Sequence, residues 1–335
     1  MAQAVADISV VICAYTEARW QELVAAVDSV QRQSLPPREI VVVIDHNPAL
    51  LARSREQFGP QSVVVVENRQ AQGLSGARNS GIAAARGEVI AFVDEDAVAA
   101  PDWLERLSAA YADPAVLGVG GLIEPLWLAG RPAWLPEEFQ WVVGCSYRGL
   151  PEATAPVRNL IGCNMSFRRE VFEVVGGFRD GIGRIGTRPL GCEETELCIR
   201  VRQRWTEGVL LYEPGARVLH RVPANRGRVA YFTSRCYAEG LSKALVARFV
   251  GSRDGLASER SYTFKTLPHG VRRGLGEALL RGERAGLARA AMIIAGLAWT
   301  TAGYVVGRVQ LWRFKPDHAG KALAGREQVY LETAP

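Results

Sequence analysis

Apolar residues along the first third of the chain come in blocks rather than singly. Residues 8–15 (ISVVICAY), 39–45 (EIVVVID), 62–68 (SVVVVEN) and 87–97 (GEVIAFVDEDA) carry continuous, largely β-branched runs of strand length. Runs of this kind mark strands buried on both faces, as in parallel sheets. Between them the period changes. In residues 17–33, Trp20, Leu23, Val24, Val27 and Val30 recur at three-to-four spacing, and Pro36 and Pro37 stop the helix this predicts. Residues 73–86 (GLSGARNSGIAAAR) predict a glycine-rich turn feeding a second helix, and residues 100–112 a third, with Pro101 near its start. Strands alternating with helices at this spacing predict an α/β fold, a mostly parallel sheet with helices on both faces. Ligands of such sheets lie at the carboxyl ends of the strands. Tyr15, Asp45, Asn68 and the acids Asp94, Glu95 and Asp96 all fall there.

Beyond about Val119 the pattern loosens. Residues 123–144 hold Trp127, Trp134 and Trp141 among prolines, which predicts an irregular aromatic surface. Residues 159–178 read as strand, turn and short helix, and residues 191–205 as a helix. Residues 208–222 read as two short strands around a turn at Pro214 and Gly215, and residues 231–251 as another helix. The last fifth is different. Residues 290–307 contain no charge and are bracketed by Arg281, Arg284 and Arg289 before and Arg308, Arg313 and Lys315 after. A bilayer span needs about 20 apolar residues, so this segment stands at the lower limit. It is expected to lie on or partly in a membrane surface, with a core or dimer-interface helix as the alternative. The expected organisation is a catalytic domain over 1–245, with halves 1–118 and 119–245, and a helical, basic and apolar extension over 246–335.

Composition narrows the class only a little. At 335 residues the chain has ample length for a buried core, and 48% hydrophobic with 22% charged residues is ordinary for a folded protein. The formal charge of +5 fits anionic partners without choosing among them. The basic residues form no continuous helix stripe, so nucleic acid is not expected as a partner. The six cysteines form no C-x-x-C pair and no zinc-like spacing with the histidines, and are expected as reduced thiols in a cytosolic compartment. The first fifteen residues lack the basic and apolar regions of a signal peptide.

Acids at Asp45, at 94–96 and at 193–196 carry candidate chemistry. Asp45 ends the second strand, where a turn or helix-cap role is the alternative. In 94–96, alternation along an extended strand sends Asp94 and Asp96 to one side and Glu95 to the other. Two carboxylates on one side suit Mg²⁺ or Mn²⁺, although a D-x-D alone is a weak signal. Gly73 and Arg78 at a helix start favour an anion. No dinucleotide fingerprint or Walker A motif is present, which argues against a dehydrogenase or P-loop enzyme. Glu193, Glu194 and Glu196 open a helix, either complementing its dipole or supplying a general base. His220 is a metal ligand or a structural strand histidine, and Arg221, Arg226 and Arg228 make a loop suited to phosphates.

Together, VVICAYTEA, VVVIDHNPA, GLSGARNSGIAAARGEVIAFVDEDA, NMSFRREVFEVVGGF and GCEETELCIRV resemble, in that order, the family 2 glycosyltransferases, from Ile8 to about Lys243. Cys13, Ala14 and Thr16 depart from the family's opening strand, Asp45 alone remains of a paired acid, and Glu194 stands where the family has an aspartate base. The resemblance implies the GT-A (Rossmann-like) fold and an inverting, metal-dependent transfer from a nucleotide sugar, a UDP-sugar in the first place. Carried over by position, Ala14, Tyr15, Glu17 and Asp45 would bind the nucleoside, with Gly73, Arg78, Asp94 and Glu95 on the nucleotide. Asp96, Asp94 and His220 would hold Mn²⁺ or Mg²⁺, Glu194 or Glu193 would be the base, and Asn164, Met165, Arg226 and Arg228 would serve the acceptor and phosphate side. The expected acceptor is a lipid-linked sugar or cell-surface glycan, met at a membrane surface through 281–315. The expected location is the cytoplasmic face of the membrane, or the cytoplasm. Alternatives of other classes are a nucleotidyltransferase on a related core and a non-catalytic nucleotide-sugar-binding module.

Overall fold

A computed structural model describes residues 7–61, 63–184, 190–251 and 261–313. Ser62 of the expected third strand, and residues 252–260 and 314–335 of the extension, including Lys315, lie outside the described residues. The first strands and helices follow the sequence pattern. They are β1 (Ile8–Ala14), α1 (Trp20–Gln31), β2 (Glu39–Ile44), α2 (Pro48–Phe58), β3 (Val64–Glu67), α3 (Leu74–Ala84) and β4 (Val89–Val93). Helix α2, absent from the sequence reading, starts where Asn47 Oδ1 accepts from Leu50 N–H (3.0 Å) and Pro48 occupies the first turn. Strands β1 to β4 pair in parallel in the order β3-β2-β1-β4.

Two-residue alternation sorts their side chains into two cores. Ile8, Val10, Ile12 and Ala14 of β1 pack with Trp20, Leu23 and Val27 of α1 and with Leu50 and Phe58 of α2. Val11 of β1 and Val41 and Val43 of β2 face the other way, with Ala77 of α3. This double-sided burial is why the strands read as unbroken apolar runs.

The second half is where sequence and structure part. It contains β5 (Ala97–Ala99), α4 (Trp103–Ala110), β6 (Val116–Trp127), β7 (Ala155–Pro156), β8 (Asn164–Arg168), α5 (Arg169–Val175), α6 (Glu193–Arg204) and β9 (Val209–Val222). Here β8 runs antiparallel between β4 and β6, β9 runs parallel to β6, and β5 and β7 run antiparallel to β9. The sheet is therefore mixed, and its parallel part is the β3-β2-β1-β4 half. Residues 123–127 of the expected irregular surface are the end of strand β6. Residues 209–222 form one strand, because a register shift absorbs the extra residues: Gly121 faces Glu213 and the next residue, Leu122, faces Arg217.

The chain ends in helices α7 (Val229–Val250), α8 (Leu267–Arg281) and α9 (Arg284–Arg313). The expected divisions fall inside elements, 118/119 within β6 and 245/246 within α7. Helices α7 and α9 cross with their backbones touching. A Cβ at Gly240 would lie 2.1 Å from Thr300 O, and one at Gly303 would lie 2.0 Å from Tyr237 O, so only glycine permits this approach. Among the described residues α9 is the one helix long and apolar enough to cross a membrane, with mean hydropathy 1.5 over its most apolar window.

Candidate active site

A cavity of about 660 Å³ opens at the carboxyl ends of the parallel strands. Its floor is the corner between β4 and β5. After Val93 the chain turns at once, with Ala97 N–H donating to Asp94 O (3.1 Å). Asp94, Glu95 and Asp96 thus sit on a turn, and all three line the cavity. The strand alternation that would point Glu95 away does not apply, because the turn ends the two-residue period.

Arg19, which the sequence reading passed over, binds this corner. Its Nη1 donates to Glu95 Oε1 at 2.6 Å and lies 3.3 Å from Asp96 Oδ2. Asp96 Oδ1 lies 3.2 Å from His220 Nε2, and Arg226 Nη2 lies 3.4 Å from Asp96 Oδ2. Strand pairing sets this geometry, since β9 places His220 directly opposite Ala97. Burial alone would favour the protonated Asp96, but His220, Arg226 and Arg19 outweigh it and hold the carboxyl well below the usual range. Burial, followed by the charge of Asp96, pushes Glu95 up to about 7 against the pull of Arg19.

The corner brings together donor atoms of the kind a divalent cation takes. The Asp94 carboxylate, the Cys163 sulfur and a His220 ring nitrogen lie within 4.8 Å of one another. Burial, with the charges of Asp94 and Asp96 adding to it, holds the Cys163 thiol well above its ordinary value, so it is a neutral neighbour. One carboxylate and an imidazole remain, and Asp96, whose Oδ1 lies 3.2 Å from His220 Nε2, adds a second carboxylate beside them; such a donor set suits Mg²⁺ or Mn²⁺.

A second part of the wall is the start of α6. Cys192 caps it in the left-handed region (φ 71°), which turns the chain so that Glu193 and Glu194 enter the cavity. Arg78, 2% exposed, joins the two parts: Nη1 donates to Glu193 Oε1 (2.7 Å), and Nη2 donates to Gly162 O (3.0 Å) and Asp94 Oδ1 (3.3 Å). Glu193 is thereby committed to an ion pair. Glu194 is not part of it; burial and then the neighbouring Glu193 charge push its carboxyl up to about 8. Glu196 points into the fold, where it accepts from Arg200 and Arg179 at 2.9 Å each.

Of the nucleoside residues, Ala14, Tyr15 and Asp45 line the cavity. Asp45 Oδ1 accepts from Asn68 Nδ2 (2.6 Å) and Oδ2 from Gly73 N–H (3.0 Å), so Gly73 acts by orienting Asp45. Glu17 is exposed on a single helical turn outside the cavity lining, and Arg228 is exposed at the cap of α7. Asn164 and Met165, expected on the acceptor side, lie outside the cavity lining. Both are fully buried in β8, a central strand covered on both faces, where Asn164 accepts from Trp103 Nε1 (2.8 Å) and donates to Ala216 O (2.8 Å). Of the tryptophans, Trp141 lines the cavity, while Trp134 packs edge-on against Phe232. Arg184, Arg235 and Tyr304 also line it and have no local motif that could have revealed them.

The fold has counterparts among solved structures. A mannosyltransferase of Pyrobaculum calidifontis in complex with GDP-Man and Mn²⁺ aligns over 93% of this chain and 89% of its own, with TM-score 0.55 and 18% identity. GalNAc-T7 with UDP, GalNAc and Mn²⁺ aligns over 76% of this chain, with TM-score 0.51 and 20% identity, and this chain spans 55% of that one. The fold is that of the GT-A glycosyltransferases.

The sequence comparisons are narrower. The Glycosyl transferase family 2 profile matches residues 9–176. The glucosyl-dolichyl phosphate glucuronosyltransferase of Haloferax volcanii is 37% identical over 241 residues, 71% of this chain and 77% of that protein. The chain belongs to glycosyl transferase family 2 and is a glycosyltransferase.

Proposed function

We propose that this glycosyltransferase is inverting and metal-dependent, and moves a sugar from a nucleoside diphosphate sugar, a UDP-sugar in the first place, to a hydroxyl of a lipid-linked sugar or glycan at a membrane surface. The observation that carries the reading is that one cavity holds both the acid corner with its arginines and Glu194 at the start of α6. Asp94, Asp96 and His220 would hold Mn²⁺ or Mg²⁺, which when bound neutralises charge on the donor diphosphate. Arg226 and Arg19 add fixed positive charge beside the leaving nucleoside diphosphate, in a site shielded from water. Tyr15 and Ala14 receive the nucleoside, and the fixed Asp45 carboxylate accepts from the base.

Glu194 takes the proton of the acceptor hydroxyl as that oxygen bonds to the anomeric carbon. The bond to the diphosphate oxygen breaks on the opposite side, and its electrons leave with the nucleoside diphosphate. One displacement inverts the anomeric centre. The relatives support a nucleotide-sugar donor and a lipid or glycan acceptor, and α9 supports membrane association, with the cytoplasmic face as the expected side.

The test is a panel of nucleotide sugars with Mn²⁺, Mg²⁺ or chelator, read by thermal shift and slow donor hydrolysis. Metal-dependent stabilisation by a uridine diphosphate sugar is expected. Absence of any metal-dependent response across the panel would defeat the proposal.

A further inference from the structure

Transfer as derived above leaves one cationic group of the cavity unused. Helix α7 presents Arg235, Glu239 and Lys243 at four-residue spacing on one face, and all three line the cavity. Arg184 lines it beside them. Arg235 is 7% exposed and stands against the start of α6, its Nη2 lying 3.9 Å from the Cβ position at Gly191, three residues before Glu194. Gly191 N–H donates to Ser242 Oγ of α7 (3.1 Å), which ties the two helices at this point. Lys243 Nζ lies 3.1 Å from Glu239 Oε1, and Asp94, Asp96 and Glu193 act on Arg184 from the other side of the group. Burial, and then the charge of Arg184, push Arg235 below its ordinary value, the sign of like charges held together.

An anion between such groups turns repulsion into charge-assisted hydrogen bonding. The donor diphosphate has Arg19 and Arg226 on the acid-corner wall, whereas the α7 group lies on the wall of Glu194, where the acceptor enters. Behind α7 packs α9, whose outer face exposes Leu287, Ile294 and Trp312. We propose that Arg235, with Lys243 and Arg184, binds a phosphate of the acceptor close to the hydroxyl that Glu194 deprotonates. The assignment rests on the transfer reading for which wall is the acceptor's. The acceptor class is then a glycosyl phosphate ester with its apolar chain directed toward α9.

Calorimetry on the full chain with UDP and Mn²⁺ tests this, using octyl glucosyl phosphate, octyl glucoside and inorganic phosphate as probes. The wild type is expected to bind the phosphate ester about tenfold or more tighter than the glucoside, as a charge-assisted contact requires. Arg235→Gln and Lys243→Gln are each expected to erase that preference. If Arg235→Gln loses its cooperative melt, Lys243→Gln alone decides. Equal binding of the two octyl probes by the wild type overturns the proposal, as does a preference that survives in Lys243→Gln. A parallel loss of UDP affinity assigns the group to the donor diphosphate, and inorganic phosphate binding as tightly as the ester marks a free-anion site; either overturns the acceptor assignment. Because binding is read without turnover, a wild type that prefers the ester yet transfers no sugar upholds the phosphate site and defeats the transfer reading instead.

Discussion

At the scale of single residues, the two acid groups differ in what holds them, and this separates their mutants. Glu194 is pushed up to about 8 by burial and by Glu193. A base must be unprotonated to accept, so transfer is expected to rise with pH up to about 8, falling about tenfold per unit below it in a kcat/KM profile. Glu193→Gln removes the neighbouring negative charge and frees Arg78, and both effects move the limb to lower pH. Glu194→Gln is expected to lower kcat by about 10²- to 10⁴-fold while nucleotide binding persists, measured by turnover and calorimetry on one preparation. Asp96 is bound by Arg19, Arg226 and His220, and Arg226 is itself buried. Asp96→Asn therefore removes the partner of a buried cation and is expected to cost about 3–5 kcal/mol in denaturant unfolding. Asp94→Asn is a useful contrast: Arg78 keeps Glu193, so metal-dependent donor hydrolysis should be lost with far less effect on stability. Equal destabilisation by the two would contradict the geometry.

At the scale of elements, the legible part was the parallel half of the sheet. Strands buried on both faces write their burial into local sequence, and Asp45 and the acids at 94–96 were found because strand ends are visible there. The long strands β6 and β9 were not legible. Pro125, Pro214 and Gly215 are local breakers, and only pairing between β6 and β9, distant in sequence, makes the bulged register favourable. The burial of Asn164 and Met165 was equally illegible, since it depends on β8 pairing between β4 and β6, elements distant in sequence. Glu95 was misdirected because a turn, not a strand, carries it. Arg19, Arg184 and Arg235 act from three separate elements and share the cavity only after folding. Gly303 is where α9 meets α7. Gly303→Val is expected to force the helices apart at a cost of about 1–3 kcal/mol or more. Gly276→Val on α8, where a Cβ meets nothing within 4 Å, should cost no more than a few tenths in the same melts beyond its propensity effect.

At the scale of the whole molecule, helices α8 and α9 expose Leu279, Leu280, Leu287, Ile294 and Trp312 at 52–87% of their surface. Arg281, Arg284, Arg308 and Arg313 flank these residues. Co-flotation with vesicles containing anionic lipid is expected, weakening as salt rises, and Leu279→Glu with Leu280→Glu should abolish it. Retained flotation of that double variant would place the contact elsewhere. The same α9 that carries this apolar face supplies Leu297, Thr300, Thr301 and Tyr304 to the cavity. The helix with the apolar outer face is therefore also part of the cavity wall. A chain cut before Arg284 to improve its handling would not be a soluble form of the enzyme but one with a breached reaction chamber, and its idle state would say nothing about whether the lipid is needed.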